Sequence, residues 1–322
     1  MIVTCDNCNT RYNINDSAIK KAQVTARCAK CKHVFTVRKG ANKEPASLSA
    51  VDDNQPAVKE SIEIDGINTS DSTMNARVIS VCNQKGGVAK TTTSLNLGVS
   101  LGLLKKRVLI IDFDIQANLT LLMGYKDAKS FFEVIHSKDT GIAEYIIKTK
   151  LNLWLLPSNS KMALLSKTHL QDANFEYMLR DKLKSVGNYF DYIIIDTPPS
   201  GDFYTLNALL ASDMAIIPTP CEYLSMQGVN HIVNMINVIR EKSDHVLDYK
   251  IPVTMFETDN TASRVILEKL KSEYKDHLFS TMIEKDSKVQ ESQIVHKPTI
   301  YYDKESRAGR QYYNLAKEII NL

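Results

Sequence analysis

The chain has 322 residues, of which 43% are hydrophobic and 24% charged, with a formal net charge of +3. That length suits two domains, and that composition excludes a collagen-like, a wholly disordered or a disulfide-scaffold protein. No apolar run approaches the roughly 18 residues of a membrane span, because Val108–Ile111 and Ile193–Ile195 are each cut short by aspartate. The opening MIVTCDNCNT shows no basic-then-apolar leader, so a cytoplasmic protein is expected. The charge is unevenly spread. Residues 1–40 carry eight Lys and Arg against two Asp, residues 41–76 two Lys against seven acids, and residues 77–322 30 basic against 28 acidic residues. A basic head, an acidic tether and a nearly neutral body are expected.

The head holds four of the six cysteines, as Cys5-x2-Cys8 and Cys28-x2-Cys31, with 19 residues between the pairs. This spacing fits a tetrahedral four-thiolate Zn²⁺ site, each CxxC forming a knuckle that aims two sulfurs at one metal. Val24–Ala26 and His33–Val37 read as short strands beside the second pair. Disulfides are disfavoured in a reducing cytosol, and about 40 residues bury too little core to fold without a staple. Four thiols close the metal shell, so His33 is read as a surface residue. Residues 1–38 also resemble the small zinc-ribbon modules found at bacterial protein N-termini, and a ribbon domain is set at 1–39. From 40 to 75 the chain is rich in Ser, Asp, Asn, Glu, Ala and Pro and has no aromatic residue. It reads as a flexible acidic linker.

Arg77–Cys82 is a short apolar strand that runs into Asn83-Gln-Lys-Gly-Gly-Val-Ala-Lys-Thr-Thr-Thr93. A helix follows over Thr91–Lys105, with Leu95, Val99 and Leu103 on one face. Strand, glycine loop and helix together make a phosphate cradle of backbone N–H groups. The usual G-x-x-x-x-G-K-[ST] pattern is broken, since Gln84 and Ala89 stand at its two glycine positions. What remains, K-G-G-V-A-K-T-T, resembles the deviant Walker A motif of the ParA/Soj and MinD family.

That resemblance implies an ATP-bound homodimer in which Lys85 reaches across to the partner's nucleotide. It sets Gly86, Gly87, Val88, Ala89, Lys90, Thr91 and Thr92 around the phosphates, with Lys90 on the β- and γ-phosphates and Thr91 on Mg²⁺. The next buried strand, from Lys106, ends in Asp112-x-Asp114, at the strand end where doubly wound sheets bind ligands. By resemblance Asp114 polarises the attacking water, and Asp112 joins Thr91 and Asp196 at the magnesium site. Relatives commonly read D-x-D-P-Q-G-N, whereas Ile115 and Ala117 replace the Pro and Gly here. Asp191-Tyr-Ile-Ile-Ile-Asp196 suits a Walker B carboxylate, with Thr197-Pro-Pro as a switch that senses the γ-phosphate.

The likeness continues to about residue 320, through Leu206-Asn-Ala-Leu, Ala215–Pro218, Cys221-Glu-Tyr, Ile283–Glu291 and His296–Asp303. It implies Met255, Ile283 and Asp286 as further nucleotide-binding positions. Alternation of strands and helices argues independently for an α/β, doubly wound, mostly parallel P-loop NTPase domain over 76–322. Cys82, Cys221 and Trp154 read as packing residues. An ATP-switched dimer of this kind implies non-specific DNA as the surface held, with Arg264, Lys285 and Lys288 as phosphate contacts. The expected protein is a slow Mg²⁺-dependent ATPase, stimulated by a ParB-like or cargo-adaptor partner, nucleoid-associated and engaged in DNA partition or cargo positioning. A MinD-like membrane ATPase is the alternative, but it calls for a basic amphipathic C-terminal helix, and the segment from Gln311 to Leu322 has one Lys. A bacterial tyrosine kinase would carry its tyrosines on a tail, whereas Tyr301, Tyr302, Tyr312 and Tyr313 sit within the last expected elements.

Overall fold

The computed structural model describes residues 2–4, 11–13, 23–38, 75–137 and 141–322. Cys5, Cys8 and the expected tether, apart from Asn75, lie outside the described residues. The chain divides into two compact units, residues 1–59 and 60–322.

The first unit is built of two short antiparallel pairs. Strand β1 (Ile2–Thr4) pairs with β2 (Arg11–Asn13), and β3 (Gln23–Arg27) pairs with β4 (Val34–Arg38). The second pair takes in the strands expected beside Cys28 and Cys31. Its turn is closed by Cys28 N–H on the His33 carbonyl at 2.8 Å and Lys32 N–H on the Cys28 carbonyl at 3.0 Å.

The second unit is a seven-stranded sheet between helices. Its strands are β5 (Arg77–Val81), β6 (Val108–Asp112), β7 (Ile147–Lys148), β8 (Trp154–Leu156), β9 (Tyr192–Asp196) and β10 (Met214–Ile216), then β12 (Asp248–Lys250). A separate two-residue parallel pair joins β11 (Thr219–Pro220) to β13 (Val253–Thr254). The sheet order is β12-β10-β5-β9-β6-β8-β7, parallel throughout except for the edge strand β7. The helices are α1 (Lys90–Leu103), α2 (Asn118–Leu122), α3 (Phe131–His136), α4 (Met162–His169), α5 (Met178–Leu183) and α6 (Phe203–Leu210). They continue as α7 (Tyr223–Lys242), α8 (Thr261–Tyr274), α9 (Ser287–Ile294), α10 (Thr299–Tyr302) and α11 (Arg307–Ile320).

Continuous apolar strands such as VLIID and YIIID are what a parallel sheet covered on both faces demands. Successive side chains alternate between those faces. Ile79, Val81, Ile110 and Ile194 pack with Leu95 and Val99 of α1 and with Tyr312, Leu315 and Ile319 of α11. Val78, Leu109, Ile111, Ile193 and Ile195 pack on the other side with Phe131, Leu165, Leu179 and Phe203. Helix α7 covers the β10 and β12 end through Val229, Ile232 and Ile236. The close seat of α1 on β6 depends on Gly98, where a Cβ would stand 2.4 Å from Ile110 Cδ1. The neighbouring strands β5, β9 and β6 thereby bring three loops together at their carboxyl ends.

Candidate nucleotide-binding site

The first loop runs from Cys82 to Ala89. Gly87 has φ +73°, and a Cβ at Gly86 or Gly87 would meet no described atom within 4 Å. That leaves room for an anion against the backbone at the start of α1. Ala89, just before α1, takes φ 70° and ψ 30°, the left-handed conformation a glycine would supply. Ala117, before α2, does the same at φ 52°. Both alanines therefore hold the backbone geometry of the glycines they replace, at a steric cost.

Lys90 is 7% exposed and donates from Nζ to the Lys85 carbonyl at 3.0 Å. Burial pushes its pKa down, opposed by Asp196, Asp114 and the Cys82 thiol. Asp196 is fully buried, and its Oδ1 accepts from Ser94 Oγ at 2.8 Å. Its Oδ2 has no hydrogen-bond partner among the described residues. Burial, then the neighbouring Asp112, push the Asp196 carboxyl up to about 8 against the pull of the Ser94 and Thr91 hydroxyls. Asp114 is 5% exposed, and its Oδ1 accepts from Gln116 N–H at 2.9 Å. Burial raises its pKa, while the Gln116 N–H and Lys90 oppose the shift.

Asp112 is the carboxylate whose surroundings differ most from expectation. Its Oδ2 accepts from Thr120 N–H at 2.8 Å and Thr120 Oγ1 at 2.7 Å, and its Oδ1 accepts from Asp114 N–H at 3.2 Å. Both oxygens are already engaged in folding the segment after β6. Burial pushes it up to about 7, with those bonds opposing. Ser158, after β8, completes this network. Its N–H donates to Thr120 Oγ1 at 2.9 Å and its hydroxyl to the Asp114 carbonyl at 2.6 Å.

Lys85 reaches from the loop to the start of α7. Its Nζ lies 2.6 Å from Glu222 Oε2 and 2.9 Å from Ser225 Oγ. Thr92 is tied to α9, its Oγ1 accepting from Gln293 Nε2 at 3.1 Å. Val88 is buried, and its carbonyl accepts from Thr254 Oγ1 at 3.2 Å. None of these partners is legible locally, because Glu222, Ser225 and Gln293 come from distant parts of the chain. Ser94, the partner of Asp196, lies one turn on from Lys90 on α1.

Two of the three further positions expected at the nucleotide are engaged within the fold. Ile283 is 3% exposed and sits in the core between α1 and α11, its N–H bonded to the Val253 carbonyl at 2.8 Å. Asp286 caps α9 and binds the segment before α11: it accepts from Lys288 N–H at 2.9 Å, Ser306 Oγ at 2.9 Å and Ala308 N–H at 3.1 Å. Burial raises its pKa, but those donors and Arg307 outweigh it and hold the carboxyl below its usual range. Core packing and capping occupy these two side chains. Met255, in a left-handed turn at φ 50° and partly exposed, stays available.

Among the residues expected at DNA, Lys285 pairs with Glu257 and Lys288 with Glu291, at 2.7 Å in the latter case. Arg264 is exposed on α8 and forms no ion pair among the described residues. In the ribbon, the Cys31 N–H approaches Cys28 Sγ at 3.5 Å, within the turn that carries both thiols of the second CxxC pair. The donor set of this half suits Zn²⁺.

A glycine loop, a buried lysine and facing carboxylates at the carboxyl edge of a parallel sheet are the chemistry of a P-loop nucleoside triphosphatase. Residues 76–249 match the AAA domain family, and residues 1–36 match the zinc-ribbon domain family. The sporulation initiation inhibitor protein Soj of Bacillus subtilis is 34% identical over 247 residues, covering 76% of this chain and 98% of Soj. The chromosome partitioning protein ParA of Myxococcus xanthus is 32% identical over 249 residues, covering 76% and 88%. A crystal structure of cobyrinic acid a,c-diamide synthase from Mycobacterium smegmatis, with bound ADP and magnesium, is 29% identical. It covers 76% of this chain and 94% of that one, with a TM-score of 0.67. The chain belongs to the ParA/Soj family of partition ATPases and carries a zinc ribbon at its N-terminal end.

Proposed function

We propose that the chain binds ATP with Mg²⁺ at this site, dimerises over the nucleotide, holds DNA non-specifically as the dimer, and is reset by slow hydrolysis. One observation carries the reading. Among the described residues, Lys90 is the one buried Lys or Arg; it faces the buried carboxylates Asp196 and Asp114, and buried Asp112 neighbours Asp196 in turn. Ionised, they leave two negative charges uncompensated in a low-dielectric site, which is the charge of one divalent cation. Asp196 Oδ2, lacking a partner, and the Thr91 hydroxyl are the oxygens that would hold it. Mg²⁺ there would screen the triphosphate and the developing transition-state charge.

The chain's own residues divide the remaining work. Lys90 and the N–H groups of residues 86–92 hold phosphate oxygens. Asp114 orients the attacking water, and Asp112, through Thr120 and Ser158, fixes the backbone that carries it. Lys85 leaves Glu222 and Ser225 to reach the partner's nucleotide. The lysines Lys285 and Lys288, with Arg264, contact DNA phosphates after exchanging Glu257 and Glu291 for them. Exposed ion pairs hold weakly enough for that exchange. Cys5, Cys8, Cys28 and Cys31 bind structural Zn²⁺, and a ParB-like or cargo-adaptor partner stimulates turnover at the nucleoid. A membrane-surface role is less favoured, because α11 buries Leu315, Ala316 and Ile319 in the core. Among the described residues, no helix is long and apolar enough to cross a membrane.

The test uses Asp114→Ala. It should bind ATP and remain on DNA with hydrolysis lost, read by nucleotide filter binding and phosphate release. Normal turnover in that variant removes Asp114 from the mechanism.

A further inference from the structure

The knuckle sulfur Cys28 is 1% exposed, and a side chain from the other hairpin approaches it. The Tyr12 hydroxyl, on β2, lies 3.0 Å from Cys28 Sγ and accepts a 2.9 Å hydrogen bond from the Ala29 N–H. A phenol has a single proton to give. The Ala29 N–H takes one lone pair of the oxygen, and a metal-bound thiolate has no proton of its own, so at a metal-bound Cys28 the phenol is the donor. The Cys31 N–H approaches the same sulfur at 3.5 Å, a longer distance than the Tyr12 hydroxyl's 3.0 Å. The bond joins residues 16 apart, so one hydroxyl ties β2 to the second knuckle and to its sulfur at once.

We propose that Tyr12 is an outer-shell positioning residue of the metal site, donating a hydrogen bond to the Cys28 thiolate. This rests on the zinc reading of the ribbon. A thiolate bound to a metal keeps lone pairs that react with electrophiles and oxidants. A donated proton draws density from those lone pairs and lowers the sulfur's nucleophilicity, and it orients the sulfur as outer-shell partners orient other metal ligands. Tyr12 therefore sets how tightly the ribbon keeps its metal and how readily Cys28 is attacked.

The experiment loads the full chain with Co²⁺ in place of zinc and compares it with Tyr12→Phe. In the variant the thiolate-to-cobalt charge-transfer absorption should move to lower energy. Metal affinity, measured against a chelator, should fall about tenfold or more. Release of metal by N-ethylmaleimide should be faster. A normal thiolate spectrum in the wild type, with band, affinity and release unchanged in Tyr12→Phe, overturns the role of Tyr12 and leaves the zinc reading standing. A wild-type chain that shows no thiolate-to-cobalt band overturns the zinc reading itself. Should Tyr12→Phe take up no cobalt, NMR of the cadmium-substituted wild type decides. A Tyr12 hydroxyl proton protected from exchange and coupled to cadmium through sulfur supports the proposal, and one exchanging at the rate of free solvent contradicts it.

Discussion

Lys85 and Ala89 show how much of this site is settled by single side chains. Lys85 is held by Glu222 and Ser225 in the single chain, so the proposed dimerisation would compete with an internal ion pair. Removing the carboxylate should shift that competition. Glu222→Gln is expected to form the ATP-dependent dimer at several-fold lower protein concentration, measured by light scattering, and an unchanged midpoint would show that the pair does not compete. Ala89, in the left-handed region at φ 70°, keeps a Cβ against the following carbonyl at about 1 kcal/mol. Ala89→Gly should therefore raise stability by up to about 1 kcal/mol, seen as a higher midpoint in urea. A lower midpoint would mean the loop gains more from alanine's restricted unfolded chain than it loses in strain.

The same scale shows what the sequence carried and what it did not. The P-loop residues 85–92, Asp114 and Asp196 are contiguous with a strand or helix whose pattern announces it, so their meeting place was legible. Ser158, Thr120, Glu222 and Ser225 carry no local signature, because a hydroxyl or carboxylate gains its role only from a neighbour the fold supplies. The core seat of Ile283 and the capping bonds of Asp286 carry no local signature for a related reason. Resemblance assigns a position along the chain, but core packing and helix capping decide where its side chain points.

At the scale of elements, the alternation of strands and helices predicted the parallel sheet, observed in the order β12-β10-β5-β9-β6-β8-β7 with helices on both faces. The antiparallel edge strand β7 was not foreseen, since two residues are too few to carry a period. Helix α3 illustrates a local device of measurable effect. Ser130 and Glu133 form a reciprocal capping box, and Glu133 also binds Lys161 and Asn159. Burial would raise the Glu133 carboxyl, but these donors outweigh it and hold it at about 2. A carboxyl whose folded pKa is depressed adds stability that is complete above its ordinary value near 4.5 and is lost as pH falls through 2. Glu133→Gln should be less stable than the wild type at neutral pH, and the difference should shrink across that acid window in denaturant titrations. A difference independent of pH would remove the linkage.

For the whole molecule, net charge is a poor guide to function. Residues 77–322 carry nearly balanced charge, and the lysines expected at DNA stand beside carboxylates. In the proposed function, DNA binding would depend on dimerisation, which would double the number of weak phosphate contacts on one surface, and not on bulk potential. Reversing Lys285 and Lys288 to Glu should weaken binding and flatten its salt dependence, with ATP binding intact. Salt dependence identical to the wild type would move the DNA surface elsewhere. The most direct test of the central claim is co-sedimentation of the full chain with non-specific DNA under ATP, ADP and no nucleotide, with Mg²⁺ present, alongside Lys90→Ala. The account predicts that DNA carries down the wild type with ATP, and neither the ADP form nor the variant. Equal recovery in all nucleotide states, or recovery of Lys90→Ala with ATP, would contradict it.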